Sequence, residues 1–296
     1  PGTLSKQFTD KDLDDNYEVC SGFRNCKIIG YLNSDDLRFL HKVKNSRIEE
    51  SFYHLDLSEC HIVKGGGPYY THRKVDYYIK EDDVLEAFSL PLAINLKLPN
   101  SLKKWNMTWI MNGQEHGVVW CQNLTIGDSL REFSPKYPEY GLVNIHVSAN
   151  NPYLSSLDGV LFNKDKSRLI TYPCYATRTS YSVPEGVREI GDYAFCIAHN
   201  LKDIYIPEGV ISIGDKAFWG AKNVCFKKTF SLSNPIALDW LPYSLEHIGD
   251  SAFVFTGHGI VILPPNVKNI GLDAFEHWHN GHSSWIVDIE DLEDDI

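Results

Sequence analysis

Apolar and polar positions alternate in short blocks along the second half of the chain. Ile204 and Ile206 alternate with Asp203 and Tyr205, the period-two pattern of a strand buried on one face, and Pro207 closes it. Four segments then share one spacing, proline-x-x-Val/Leu-x-x-Ile-Gly-x-x-Ala-Phe. They are Pro184 to Phe195, Pro207 to Phe218, Pro242 to Phe253 and Pro264 to Phe275. Proline fixes φ and lacks an N–H, so it ends a strand ladder. The Val/Leu and Ile positions are expected to point inward, the glycine to allow a bend or close approach, and the Ala-Phe pair to fill the space between stacked units.

The repeat glycines Gly191, Gly214, Gly249 and Gly271 are spaced by 23, 35 and 22 residues, so an insertion falls at about 228–241. A period in the twenties predicts a leucine-rich-repeat solenoid of the α/β class. A parallel β-sheet of short strands lines one face, and the array is capped at both ends. Weaker copies extend toward the N-terminus. Ala87-Phe88 precedes Leu96, Leu98, Pro99, Leu102 and Trp105, and Ile126-Gly127 precedes Leu130 and Phe133. Residues 157–173 read as a β-hairpin turning at Asn163 to Ser167. The organisation predicted is an N-terminal cap at 1–80, a repeat array at 81–276 and a C-terminal cap with an acidic tail at 277–296. In the N-terminal cap, a strand at Lys27–Ile29 precedes a helix over 35–43 with Ser34 as its N-cap, and a second strand follows at 53–58.

The repeats and the hairpin resemble BspA-type leucine-rich-repeat proteins over about residues 80–276. That resemblance implies a curved scaffold, secreted or displayed on a bacterial surface and often lipid-anchored, acting in adhesion to host proteins or other cells; the partner expected here is a protein or glycan on host or neighbouring cells. It implies no shared catalytic residues.

Composition narrows the function classes further. The 296 residues carry 28 Lys and Arg against 39 Asp and Glu, a formal charge of −11. This argues against nucleic-acid binding, which needs clustered cations. No apolar run reaches the roughly 20 residues of a membrane span. The chain starts at Pro1, which reads as a trimmed product, so a lipid anchor upstream of Pro1 is compatible with it. Seven dispersed cysteines read as buried thiols, with a short Cys20–Cys26 loop as the alternative.

Candidate chemistry is sparse. His277, His279 and His282 are a local cluster, read here as a polar loop rather than a metal site. Asp192, Asp215 and Asp250 recur after the repeat glycines and read as caps of a following turn rather than as a calcium ladder. No nucleophile elbow, P-loop, dinucleotide fingerprint or zinc-protease motif occurs, so no catalytic residue, metal or cofactor is assigned. Asn106 and Asn123 begin N-glycosylation patterns that carry little weight in a bacterial product.

Outward strand positions two residues before each proline are the candidate ligand row: Lys97, Ser182, Tyr205 and Ile262. Phe230 and Trp240, in the insertion, are a second candidate, with folding back onto the core as their alternative role. The leading expectation is a non-enzymatic binding protein. Its rivals are a carboxylate-based glycoside hydrolase and a structural spacer.

Overall fold

The computed structural model describes residues 1–4, 25–42, 52–72, 74–86, 93–107, 121–135, 141–227, 239–256, 260–276 and 285–288. Internal contacts divide the chain into two compact units, Pro1–Ser156 and Leu157–Ile296. The strands pair mostly in parallel, and helices are few among the described residues.

In the second unit each repeat supplies two short strands. The strands Ser180–Ser182 and Asp203–Tyr205, each just ahead of a repeat proline, pair in parallel with each other and with Cys225–Lys227, which precedes the insertion. A second parallel set forms at the Ile-Gly position, from Arg168–Thr171 through Glu189–Ile190, Ser212–Ile213 and His247–Ile248 to Asn269–Ile270. The sequence predicts one sheet on one face; the structure has strands on two sides. The two-residue strands are too short to leave an alternating pattern.

Where an α/β repeat would carry a helix, these repeats make turns. Tyr193, Lys216, Ser251 and Asp273 hold φ between 52° and 58°, each two residues after the repeat glycine. A left-handed residue there stops right-handed helix propagation. Hydrogen bonding continues on this side between repeats instead. The Phe195 amide donates to the Ala217 carbonyl at 2.7 Å, Phe218 to Ala252 at 2.8 Å, and Phe253 to Ala274 at 2.7 Å.

The core follows the repeated letters. Val187, Ile190, Val210, Ile213, Leu245 and Ile248 are buried, as are Ala194, Ala217 and Ala252. The repeat phenylalanines stack face to face: Phe195 on Phe218 at 5.0 Å, Phe218 on Phe253 at 5.3 Å and Phe253 on Phe275 at 5.0 Å, with ring planes within 7°. Tyr172 continues the column at 5.1 Å from Phe195.

The aspartates act differently from the caps expected. Asp192 Oδ1 accepts the Asp215 amide at 3.0 Å, Asp215 Oδ1 accepts the Asp250 amide at 2.8 Å, and Asp250 Oδ1 accepts the Leu272 amide at 2.7 Å. Each carboxylate thus joins its repeat to the next. The partnered glycine is needed for this approach. A Cβ on Gly214 would sit 2.4 Å from Asp192 Oδ1, and one on Gly271 2.4 Å from the Asp250 nitrogen. The hairpin pairs Val160–Asn163 with Arg168–Thr171 in antiparallel fashion. Asp165 Oδ1 accepts the Ser167 amide at 3.0 Å and closes the turn.

In the first unit, five parallel strands order as Asn25–Leu32, Phe52–Ile62, Ala93–Lys97, Asn123–Ile126 and Asn144–Val147. Leu55, Leu96, Leu124 and Ile145 point inward and are buried. A smaller parallel sheet of Val84–Glu86, Lys104–Met107 and Glu132–Pro135 brings Trp105 beside Phe133 at 5.8 Å. Gly127 stands where a proline recurs elsewhere, because a Cβ there would meet the Asn100 Cα at 2.7 Å.

The helix runs Ser34–Lys42, but its cap is Asn33. Asn33 Oδ1 accepts the amides of Asp35 and Asp36, and Asp36 Oδ2 accepts the Asn33 amide, a reciprocal capping box. Ser34 is instead buried, its hydroxyl accepting the Ile79 amide at 2.9 Å. Asp36 also accepts the Gly2 and Leu4 amides, so one buried carboxylate ties the N-terminus to the helix.

Six cysteines lie among the described residues, all reduced; Cys20 lies outside them. Burial, with nearby Asp56, Cys26 and Glu59, pushes the Cys60 thiol up to about 12 from an ordinary 9.0. Burial does the same to Cys121, also to about 12, against the opposing pull of hydrogen bonds with the Leu96 and Asn123 backbone. An acid whose folded pKa is raised contributes stability in full below its unfolded pKa and loses it as pH climbs toward the folded one. The melting temperature is therefore expected to fall as pH rises above about 9, and less steeply in Cys121→Ala. At pH 8 both thiols should resist iodoacetamide in the folded protein and react once it unfolds, as mass spectrometry would read.

Candidate functional site

The structure brings the predicted ligand residues together in pairs. Ser182 and Tyr205 are register partners, and Tyr205 is in turn opposite Lys227. Ser182 is exposed and Tyr205 half-buried, both on the outward side, while their neighbours Tyr181 and Ile204 face the core. Trp240 and Ile262 are also register partners, on the strands Asp239–Trp240 and Ile260–Leu263, with Val287 next in the row. A candidate from the insertion and one from the strand row thus stand side by side. Phe230 lies outside the described residues, as do His277, His279 and His282.

Lys97 belongs to the five-stranded sheet of the first unit. Its row across the strands is Lys27, Asp56, Lys97, Thr125 and His146. Two residues earlier on the same strands stands a second outward row, Asn25, His54, Asn95, Asn123 and Asn144. Sequence reasoning did not find this row. Its signal is a five-times-repeated word, Asn or His, an inward residue, any residue, then Leu, Ile or Val; it begins at Asn25, His54, Asn95, Asn123 and Asn144.

The electrostatics of this face are paired. Lys97 Nζ lies 3.4 Å from Asp56 Oδ2, and Lys27 bridges to Glu59. Burial pushes the Asp56 carboxyl up, but hydrogen bonds from Ser58 and the charge of Lys97 outweigh it, so the net shift is downward. The Glu59 hydrogen bond holds the Lys27 ammonium above its ordinary value. Asn123 Nδ2 donates to Asn95 Oδ1 at 2.8 Å, and Asn95 Nδ2 to the Tyr53 carbonyl at 3.0 Å. Further along the first two strands, past Ile29 and Glu59, Tyr31 stacks on His61 at 5.4 Å and is 60% exposed.

Among the described residues no three His, Cys, Asp or Glu side chains gather as a metal site. No described helix is long and apolar enough to cross a membrane.

The family model described as "BspA type Leucine rich repeat region" matches residues 171–281, in six copies. Over those residues the chain is similar to BspA-type leucine-rich repeats. The match covers the glycine, aspartate and phenylalanine ladders described above. Solved bacterial structures are similar over longer stretches. A leucine-rich repeat protein from Eubacterium ventriosum is 21% identical, with 61% of this chain and 47% of that one covered and a TM-score of 0.48. The pneumococcal vaccine antigen PcpA is 21% identical, covering 75% of this chain and 53% of that one, with a TM-score of 0.47. A leucine-rich cell surface protein from Faecalibacterium prausnitzii is 18% identical, covering 60% and 43%, with a TM-score of 0.42. The chain thus spans about half the length of these structures or less. No curated protein matches it.

Proposed function

We propose that this chain is a non-enzymatic, secreted or surface-exposed leucine-rich-repeat protein, its repeats stacked as a capped solenoid that binds a protein or glycan. The observation that carries this reading is where the repeated residues go. Glycine, aspartate, alanine and phenylalanine are consumed in contacts between repeats, which leaves the outward strand positions to vary and to meet a partner. The BspA-type region supports a surface or secreted location.

A glycoside hydrolase needs one carboxyl held protonated near neutrality. The described carboxyls with a shifted value, Asp56, Glu132, Asp165 and Glu246, are all shifted downward, so none of these four is that protonated acid.

The test is a binding screen against host matrix proteins and glycans, repeated with Tyr205→Ala and with residues 228–238 deleted. Weaker binding in either variant supports the row or the insertion as the contact. Capture of no ligand by the unaltered chain overturns the binding role and leaves a spacer.

A further inference from the structure

The outward face of the five-stranded sheet in Pro1–Ser156 is chemically unlike an ordinary strand surface. Asparagine is depleted in strands because its amide competes for backbone partners. Here four of five positions in one row are asparagine and the fifth is His54. Strand spacing places these groups about 4.8 Å apart, so the row runs for about 19 Å. That spacing is close to the length of one pyranose unit in an extended β-linked chain.

We propose that this row is a binding platform for a neutral β-1,4-linked glycan laid across the strands. The inference rests on the reading of the chain as a binding protein. Three features select this occupant. Each amide offers a donor and an acceptor in one plane, which matches hydroxyl groups that both donate and accept. Outward charges on the face cancel, because Lys27 and Lys97 are paired with Glu59 and Asp56, in a chain of net charge −11. A neutral polymer is therefore accepted, whereas an acidic one meets no unpaired lysine or arginine among the described residues of the face and is repelled by the net charge. The exposed Tyr53 ring, edge-on to the His54 ring of the row at 4.7 Å, supplies an aromatic surface for the C–H face of a sugar ring. A protein partner would instead call for a larger apolar centre.

The row is not closed on itself. Asn25 and Asn144 are exposed at the two ends, and Asn95 and Asn123 remain half-exposed despite their mutual hydrogen bond. An amide has four hydrogen-bonding sites, so one lateral bond leaves capacity for a ligand.

The experiment is calorimetric titration of the full chain with cellohexaose and chitohexaose, with maltohexaose as the α-linked control, at low and high salt. Saturable binding of at least one β-linked hexaose, little changed by salt, is expected. The Asn95→Ala/Asn123→Ala double variant should weaken it about tenfold, because two hydrogen-bonding groups are lost. Asn144→Ala, at the exposed sheet edge, gives the same reading if the double variant fails to fold. Binding of neither β-linked hexaose overturns the proposal, as does equal affinity for maltohexaose. Unchanged affinity in folded variants overturns it too, because the amides would then serve only the stack. A chain that ignores both hexaoses yet binds a matrix protein through Tyr205 sinks this inference alone.

Discussion

Replacing Phe218 by alanine is expected to destabilise the repeat region by about 3–5 kcal/mol. The ring is fully buried and lies between Phe195 and Phe253 in the parallel column, with Phe226 packed edge-on at 4.9 Å. Deleting it removes contacts to both neighbouring repeats at once, and adjacent units in such arrays hold each other up. Phe275→Ala is the comparison. Phe275 stacks on Phe253 alone among the repeat rings and is only partly buried, so its loss should cost clearly less. Urea denaturation followed by circular dichroism would rank the two. Equal costs would mean that the column contributes area but no coupling between repeats.

Gly249→Ala should be similarly damaging although it adds only a methyl group. Its Cβ would lie 2.5 Å from the Gly214 carbonyl carbon and 2.5 Å from the Asp215 nitrogen, both backbone atoms. Neither can rotate away, so the repeats must separate and the Asp215 to Asp250 bond must stretch. A cost of about 3 kcal/mol is expected, at the upper end for overpacking. Gly186→Ala separates the causes. Gly186 has φ of 89° and no atom within 4 Å of its Cβ position, so it carries the backbone penalty without the clash, about 1 kcal/mol. Hydrogen exchange at Gly249 and Asp250 should rise in the first variant and stay unchanged in the second.

The parts of the fold that were legible in the sequence are those whose residue identity is dictated by neighbours at a fixed period. Phe195, Phe218 and Phe253 could be placed inside, and the repeat glycines at close approaches, from spacing alone. The aspartates were harder. Asp192 reads as a local cap because local partners are visible in a sequence, whereas its true partner is the backbone of Asp215, 23 residues on. Ser34 and Asn33 show the same limit in miniature: two adjacent polar residues suit a helix start, and burial against Ile79 decides between them. Of the candidate site, the row containing Tyr205 followed from strand alternation. The amide row did not, because its flanking repeats are degenerate and only register aligns Asn25 with Asn144 across five strands.

The insertion has a practical side. Ser212–Ile213 pairs with Glu189–Ile190 across 23 residues and with His247–Ile248 across 35, in the same register. Loop closure costs only about 0.6 kcal/mol per doubling of length. The stretch between Lys227 and Asp239 is therefore a natural grafting joint, where a foreign loop or epitope could be exchanged while the repeats on either side keep their alignment.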